Sequence, residues 1–162
     1  MGASLLLASV LVLAIACRRE QEPPPLGMYF ERAQVVRVID GDTIEIASGE
    51  HVRYLAIDTP QTVHPEKPVQ CYGKEASDRN KELVEGRKVK LLREGEDKDK
   101  FGRLLRYVFA DGILVNAELV WEGYAYAKSY DIEPSLYQVM VQLERSAREA
   151  KRGLWAACEK LG

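Results

Sequence analysis

The sequence has few residues of the types that build zinc sites and disulfide scaffolds. It contains three cysteines and two histidines, and none of them falls in a C-x-x-C or H-x₃-H pattern, so a zinc site is not expected. It also lacks an excess of positive charge, because 23 lysines and arginines face 25 aspartates and glutamates. Binding of nucleic acid through bulk charge needs a dense cationic surface. Any polyanionic partner therefore requires a local basic site or a bound metal ion.

Charge is also missing from the first 16 residues. The apolar run from Ala3 to Ala16 is shorter than the ~20 residues of a membrane span, but it has the length of a signal-peptide core. Residues 13–17 resemble a bacterial lipoprotein signal, in which the cysteine is acylated and becomes the mature N-terminus. We therefore expect a signal peptide over residues 1–17 with lipidation at Cys17. The protein would be exported to the cell envelope as a membrane-anchored lipoprotein, or secreted; a buried N-terminal helix is the alternative.

The remaining chain is predicted to be a linker followed by one domain. Residues 18–28 include three consecutive prolines, which favour an extended polyproline conformation and a semi-rigid spacer. The folded domain is expected over residues 29–158, a length that fits a single domain.

Within that domain, β-branched runs and turn residues predict five strands, at 35–39, 43–46, 51–57, 89–92 and 104–109. Three helices are expected at 74–85, at 115–122 and from an N-cap at Ser135 to a stop at Gly153. The predicted fold class is α+β, a five-stranded OB-fold-type β-barrel with three α-helices.

Carboxylates stand at the ends of two predicted strands. Asp42 closes the first strand and Asp58 the third, and in a three-stranded meander these ends lie on the same side of the sheet. Together with the carbonyl of Thr59 they would supply hard oxygen ligands for Ca²⁺. Ordinary turn chemistry of Asp and Gly residues is the alternative.

Two arginines lie in or next to predicted strands. Arg53 is in the third strand and Arg103 opens the fifth. A half-buried arginine needs an anionic partner, and its planar fork suits phosphate oxygens. From the residues alone, a structural salt bridge to a neighbouring carboxylate is the favoured alternative.

An ordered set of segments resembles the staphylococcal nuclease (thermonuclease) family. The resemblance extends from Ala33 to Trp155 and rests on Val38–Thr43, Arg53, Asp58–Pro60, Tyr72–Ala76, Lys100–Arg103, Ala110–Gly112, Val115–Asn116 and Gly153–Trp155.

The resemblance implies a Ca²⁺-dependent nuclease that hydrolyses phosphodiester bonds of DNA and RNA with low sequence specificity. It implies calcium ligands at Asp42, Asp58 and Thr59, and phosphate-clamping catalytic arginines at Arg53 and Arg103. It further implies substrate contacts from Lys100, Phe101 and Tyr130. Phe101 departs from the tyrosine often found in the family. We expect a monomer.

One departure concerns the general base. The family has a glutamate where this chain has Gln61, and a neutral amide cannot accept a proton at pH 7, although it can orient a water molecule. Glu66, in the same predicted loop, is a candidate to act as the general base instead. The alternative function is a non-catalytic oligonucleotide-binding OB-fold module, and a third is a surface interaction domain that uses the barrel as a scaffold.

Cys71 and Cys158 are expected to form a disulfide. Export removes the chain from the reducing cytosol, and lipidation of Cys17 leaves these two thiols. Two unpaired thiols are the alternative.

Overall fold

A computed structural model describes residues 30–62, 68–129 and 133–158 of the chain. The strands in these ranges are β1 (Phe30–Asp40), β2 (Thr43–Ile46), β3 (His51–Tyr54), β4 (Ile57–Asp58), β5 (Lys88–Lys98), β6 (Leu104–Ala110), β7 (Ile113–Leu114) and β8 (Tyr126–Ala127). The helices are α1 (Gly73–Val84), α2 (Val115–Trp121), α3 (Tyr137–Glu149) and α4 (Leu154–Ala157).

Five strands close into a barrel. Their order is β3-β2-β1-β5-β6, with antiparallel neighbours, and a parallel pairing of β3 with β6 closes the ring. β7 extends the sheet beyond β6, and β4 pairs with β8 in a separate two-stranded sheet. The expected five-stranded OB-type barrel in an α+β fold is confirmed.

The hydrophobic core consists mainly of aliphatic side chains that alternate along the barrel strands. Val35, Ile44, Val52, Leu91 and Val108 are each no more than 1% exposed. Successive strand residues point to opposite faces, so this alternation places one face of each strand in the core.

Two buried amides attach helices to the barrel. Asn80 of α1 donates to the carbonyl of Asp40 (3.1 Å) and accepts from the hydroxyl of Tyr54 (2.9 Å). Asn116 of α2 donates to the carbonyl of Leu55 and accepts from the N–H of Val108, both at 2.9 Å. A buried amide is stable only when its polar atoms are paired, so these bonds fix both helices in position.

The third strand differs from its predicted range of 51–57. It is divided into β3 and β4, because Ala56 adopts a left-handed backbone conformation with φ of 63°. β4 can then leave the barrel and pair with β8. The strand expected over 89–92 is longer than predicted and continues to Lys98, so the charged loop after it is shorter.

The helices also differ from the predicted number and ends. The described residues contain four, because a short α4 follows Gly153. Ser135 does not cap α3: Leu136 occupies the N-cap position, and Ser135 instead donates its N–H (2.7 Å) and hydroxyl (2.9 Å) to the carboxylate of Glu94.

A disulfide joins the two cysteines for which pairing was expected. Cys71 lies just before α1 and Cys158 just after α4, and their Cα atoms are 6.0 Å apart. The bond attaches the segment in front of α1 to the C-terminal end of the domain. None of the helices within the described ranges has the length and apolar character needed to cross a membrane.

Candidate active site

Two aspartates from different strand ends share one site. Asp42 lies in the β1–β2 turn, and Asp58 ends β4 and precedes Thr59. One carboxylate oxygen of Asp42 accepts bonds from the N–H (2.8 Å) and hydroxyl (2.9 Å) of Thr59, and the other accepts from the Thr43 hydroxyl (3.0 Å). The turn and the segment after β4 are thereby held together. This is the convergence that the meander topology predicts.

Gly41 permits that close approach. A Cβ atom added at this position would lie 2.7 Å from the hydroxyl oxygen of Thr59, so any larger residue would displace Thr59. The preceding Asp40 closes the turn, because its carboxylate accepts from the N–H of Gly41 (2.9 Å) and the hydroxyl of Thr62 (2.8 Å). Asp40 therefore stabilises the turn, which is the ordinary turn chemistry expected from the sequence as the alternative to metal binding.

Arg53 joins the two aspartates. Its guanidinium contacts Asp42, and its Nη2 atom lies 2.6 Å from an oxygen of Asp58. The side chains of Arg53 and Asp42 are 6% and 2% exposed, whereas that of Asp58 is 36% exposed. Two carboxylates thus share one guanidinium, so this part of the site carries a net negative charge and is open to solvent at Asp58.

Gln61 lies over the Thr59 carbonyl. Its side-chain amide donates to that oxygen at 3.1 Å. The three oxygen donors proposed for calcium and the residue in the general-base position are therefore neighbours.

A second group of the expected residues is on the turn between β5 and β6. The Lys100 ammonium and the Arg103 guanidinium lie 5.2 and 5.4 Å from the centre of the Phe101 ring, which is 73% exposed. The Nε atom of Arg103 donates to Asp99 at 2.7 Å. Burial opposes ionisation of Asp99, but hydrogen bonds from Arg103 and Phe101 outweigh it and hold the pKa of Asp99 below its ordinary value.

The strand register relates the two groups. In the parallel pairing of β3 with β6, Arg53 is opposite Leu105, and Arg103 lies in the turn two residues before Leu105. Arg103 therefore comes just before the strand that pairs with the strand of Arg53. Tyr130, Glu66 and Cys17 lie outside the described residues.

Comparisons with known proteins identify the family of this chain. The profile of the family described as Staphylococcal nuclease homologue matches residues 51–157. The chain belongs to this family.

Among its relatives, the thermonuclease of Staphylococcus hyicus is 36% identical over 162 aligned residues, which cover 96% of each chain. The thermonuclease of Staphylococcus intermedius is 40% identical over 75% of this chain and 74% of its own. Endonuclease YncB of Bacillus subtilis is 44% identical over 74% of this chain and 59% of its own.

The donor set of this nuclease-family chain fits a hard cation. In the part of the chain that the structure describes, His, Cys, Asp and Glu side chains form no cluster of three or more that could hold a metal. A cation here would instead use the carboxylates of Asp42 and Asp58 and the carbonyl of Thr59. These are oxygen ligands, and calcium commonly combines carboxylates, backbone carbonyls and water. The net negative charge around Arg53 favours the same ion.

Three residues that support the site were not identified from the sequence. Asn80 holds the carbonyl of Asp40 at the base of the turn. Tyr126 of β8 pairs with Asp58; burial raises the pKa of its phenol, and the charges of Glu144 and Asp58 add smaller contributions. Gln70 binds the backbone of Gln61. Asparagine, tyrosine and glutamine are common at surfaces, and their spacing in this chain gave no signal of these contacts.

Proposed function

We propose that this protein is a Ca²⁺-dependent nuclease that hydrolyses phosphodiester bonds of DNA and RNA with low sequence specificity. The observation that carries the proposal is the contact of Asp42 and Asp58 with one buried arginine, with Arg103 in the turn that leads into the adjacent strand. The names of the relatives, thermonuclease and endonuclease, support the same activity. The calcium ion and the two arginines would contact phosphate groups, which every nucleotide of DNA and RNA carries. Contacts to phosphate do not distinguish bases, and this accounts for low sequence specificity.

The proposed roles follow from the charges. Asp42, Asp58 and the Thr59 carbonyl would hold calcium, which supplies positive charge to a phosphate oxygen. Arg53 and Arg103 present planar donor groups that match phosphate oxygens and stabilise the charge that develops in the transition state. The carboxylates that would hold the ion also contact Arg53, so ion binding and the orientation of this guanidinium are coupled.

The substrate is expected to extend over the β5–β6 turn. Phe101 is the most exposed large apolar side chain of the described residues, and cations flank its ring on the turn. An aromatic face can stack a base, while Lys100 attracts phosphate. We assign the same kind of contact to Tyr130 by resemblance.

Gln61 orients the attacking water in this proposal and does not remove its proton. Its amide contacts the Thr59 carbonyl, next to the oxygens assigned to calcium, and an amide is not basic at pH 7. The proton then goes to Glu66 or to solvent.

A non-catalytic oligonucleotide-binding module is the second candidate, and Gln61 is the observation that favours it. Cleavage of fluorescent single-stranded DNA, measured with calcium and with a calcium chelator, separates the candidates. Calcium-dependent cleavage is the expected result. Binding without cleavage would support the module, and absence of both calcium and polynucleotide binding would leave a scaffold for protein interaction.

We further propose that the protein is exported and monomeric, with a lipid anchor at Cys17. The disulfide supports an oxidising compartment, because such bonds are rare in the cytosol. Mass spectrometry of the N-terminal peptide from cell-envelope protein tests the anchor; an unmodified Cys17 in the isolated protein would contradict it. Sedimentation velocity tests the monomer.

A further inference from the structure

Gln70 and Gln61 hold each other through two hydrogen bonds. The side-chain oxygen of Gln70 accepts from the backbone N–H of Gln61 at 2.8 Å, and the backbone N–H of Gln70 donates to the carbonyl of Gln61 at 3.0 Å. Both backbone polar groups of Gln61 are therefore bound by one residue. The Gln61 side chain donates a separate hydrogen bond to the Thr59 carbonyl.

Gln70 is itself held from the other side. The neighbouring Cys71 is bonded covalently to Cys158, and the N–H of Gly73 donates to the carbonyl of Gln70 at 2.9 Å. The start of α1 also packs directly on the Gln61 backbone, since a Cβ atom on Gly73 would lie 2.9 Å from the Gln61 carbonyl oxygen. Gln61 thus rests on a segment that a disulfide attaches to the C-terminal end of the domain.

We propose that Gln70 is a positioning residue for Gln61, and that the Cys71–Cys158 disulfide keeps Gln70 in the place where it can act. This inference rests on the proposed nuclease function, in which Gln61 orients water beside the calcium ligands. Catalysis depends steeply on such placement. Loss of the Gln70 contact lowers the rate of the chemical step but removes no calcium ligand and no phosphate-binding arginine.

A matched pair of variants isolates the hydrogen bond. Gln70→Met keeps the length of the side chain but removes the acceptor oxygen, whereas Gln70→Glu keeps an acceptor at the same position. We expect kcat on single-stranded DNA to fall about tenfold in Gln70→Met, as for loss of about one hydrogen bond from the reacting arrangement. KM and the calcium dissociation constant should stay within about twofold of wild type, and Gln70→Glu should retain most of kcat. Val69→Ala, at a neighbouring exposed position, should match the wild type.

The disulfide is tested with the double variant Cys71→Ser/Cys158→Ser, assayed at a temperature where circular dichroism shows it fully folded. We expect a loss of kcat similar to that in Gln70→Met. Adding Gln70→Met to the double variant should cause little further loss, because residues that act through one contact are not additive. Full additivity of the two effects would contradict the proposed link between the disulfide and Gln70.

Hydrogen exchange gives a readout that does not depend on activity. The backbone amide of Gln61 should exchange slowly in the wild type and at least about tenfold faster in Gln70→Met, while amides of the barrel core stay unchanged. Equal exchange at Gln61 in both proteins, or a Gln70→Met variant that raises KM with kcat unchanged, would overturn the proposal. A wild type without nuclease activity would instead contradict the proposed function, and the exchange rates would still decide whether Gln70 holds Gln61.

Discussion

Thr59 donates two hydrogen bonds to one carboxylate oxygen of Asp42, from its backbone N–H at 2.8 Å and from its hydroxyl at 2.9 Å. The orientation of this carboxylate is therefore set by the fold before any ion binds. Asp58 has no such restraint from Thr59 and is partly exposed. The two carboxylates proposed as calcium ligands thus differ in burial and restraint, and this difference leads to different predictions for their removal.

Asp42→Ala and Asp58→Ala should each abolish detectable calcium binding in calorimetry, because each removes one proposed ligand and one negative charge. Their effects on stability should differ. Asp42→Ala removes a buried partner of Arg53 and of Thr59, which typically costs about 3–5 kcal/mol. Asp58→Ala leaves Arg53 paired with Asp42 and should cost less than about 1 kcal/mol, as for a solvent-screened pair.

Asp111→Ala is the control for these variants, since Asp111 is 69% exposed and pairs with Arg87 at the surface. It should bind calcium like the wild type. Unchanged calcium affinity in folded Asp58→Ala would remove this residue from the ligand set.

Arg53→Lys and Arg103→Lys should each lower kcat by about 10²-fold while keeping the charge, because lysine cannot present the planar fork. Arg53→Lys should also lower the free energy of unfolding, since one ammonium group must replace a guanidinium that contacts two aspartates. Steady-state kinetics and urea denaturation measure the two effects separately.

Arg145→Lys is the matched control on a surface helix, where Arg145 is 73% exposed and pairs with Glu149. Near-normal turnover in Arg53→Lys and Arg103→Lys would make both arginines structural ion-pair residues, which is the other interpretation of their sequence context.

The barrel could be predicted from sequence because its local signals agree with its tertiary structure. Alternating β-branched residues and turn residues between 35 and 57 define the first strands. The break at Ala56 could not be predicted, because alanine carries no turn signal and β4 leaves the barrel to pair with a strand much later in the chain. The predicted N-cap at Ser135 was wrong because of another distant contact: the Ser135 hydroxyl donates to Glu94.

The site was predictable only where local sequence signals agree with the tertiary structure. Asp42 and Asp58 both contact Arg53, as the meander led us to expect, although Asp58 lies in β4 and not at the end of β3. The sequence left Arg53 with two interpretations, and in the structure it contacts two of the proposed calcium ligands, Asp42 and Asp58. Gln70 and Asn80 gave no signal, because their partners are 9 and 40 residues away and only the folded chain brings them together.

Removal of the disulfide in Cys71→Ser/Cys158→Ser should lower the free energy of unfolding by about 4 kcal/mol, within a usual range of 2–5 kcal/mol. The bond closes a long loop, with a sequence separation of 87 residues, and so restricts the unfolded chain. Urea denaturation of the oxidised wild type and of the double variant measures the difference. Two titratable free thiols at Cys71 and Cys158 in protein purified from the cell envelope would contradict the bond itself.

Stability should fall as the pH rises from about 10 to 12, because burial raises the pKa of Tyr107 to about 12 from its ordinary value of 10.0. The folded state then holds this proton where the unfolded state has lost it, so the contribution is complete below pH 10 and is lost as the pH approaches 12. A shift of this size corresponds to at most about 3 kcal/mol.

Tyr107→Phe tests this dependence by urea denaturation between pH 8 and 11.5. The variant loses the acceptor for the Leu136 N–H (3.2 Å) and should be less stable at pH 8 by about 1 kcal/mol. The difference between the two proteins should shrink as the pH rises. A constant difference over this range would mean that Tyr107 does not titrate with a raised pKa.

Gln61→Glu should raise kcat by up to about 10²–10⁴-fold, the contribution of a positioned general base. The position is suited to a base, because the Gln61 side chain lies on the Thr59 carbonyl, beside the proposed calcium ligands. Substrate and calcium affinities should change little, since the substitution adds a proton acceptor and removes no calcium ligand or arginine. Single-turnover cleavage of single-stranded DNA measures the chemical step directly.

Glu66→Gln is the matched control, and the two variants together separate three cases. If Gln61 only orients water and no other base exists, Gln61→Glu gains activity and Glu66→Gln resembles the wild type. If Glu66 has taken over as the base, Glu66→Gln is nearly inactive and Gln61→Glu gains little. If neither the wild type nor Gln61→Glu cleaves DNA although both bind calcium, the nuclease proposal is wrong. The barrel is then an oligonucleotide-binding module, because the ion and the arginines can hold phosphate without a group that activates water.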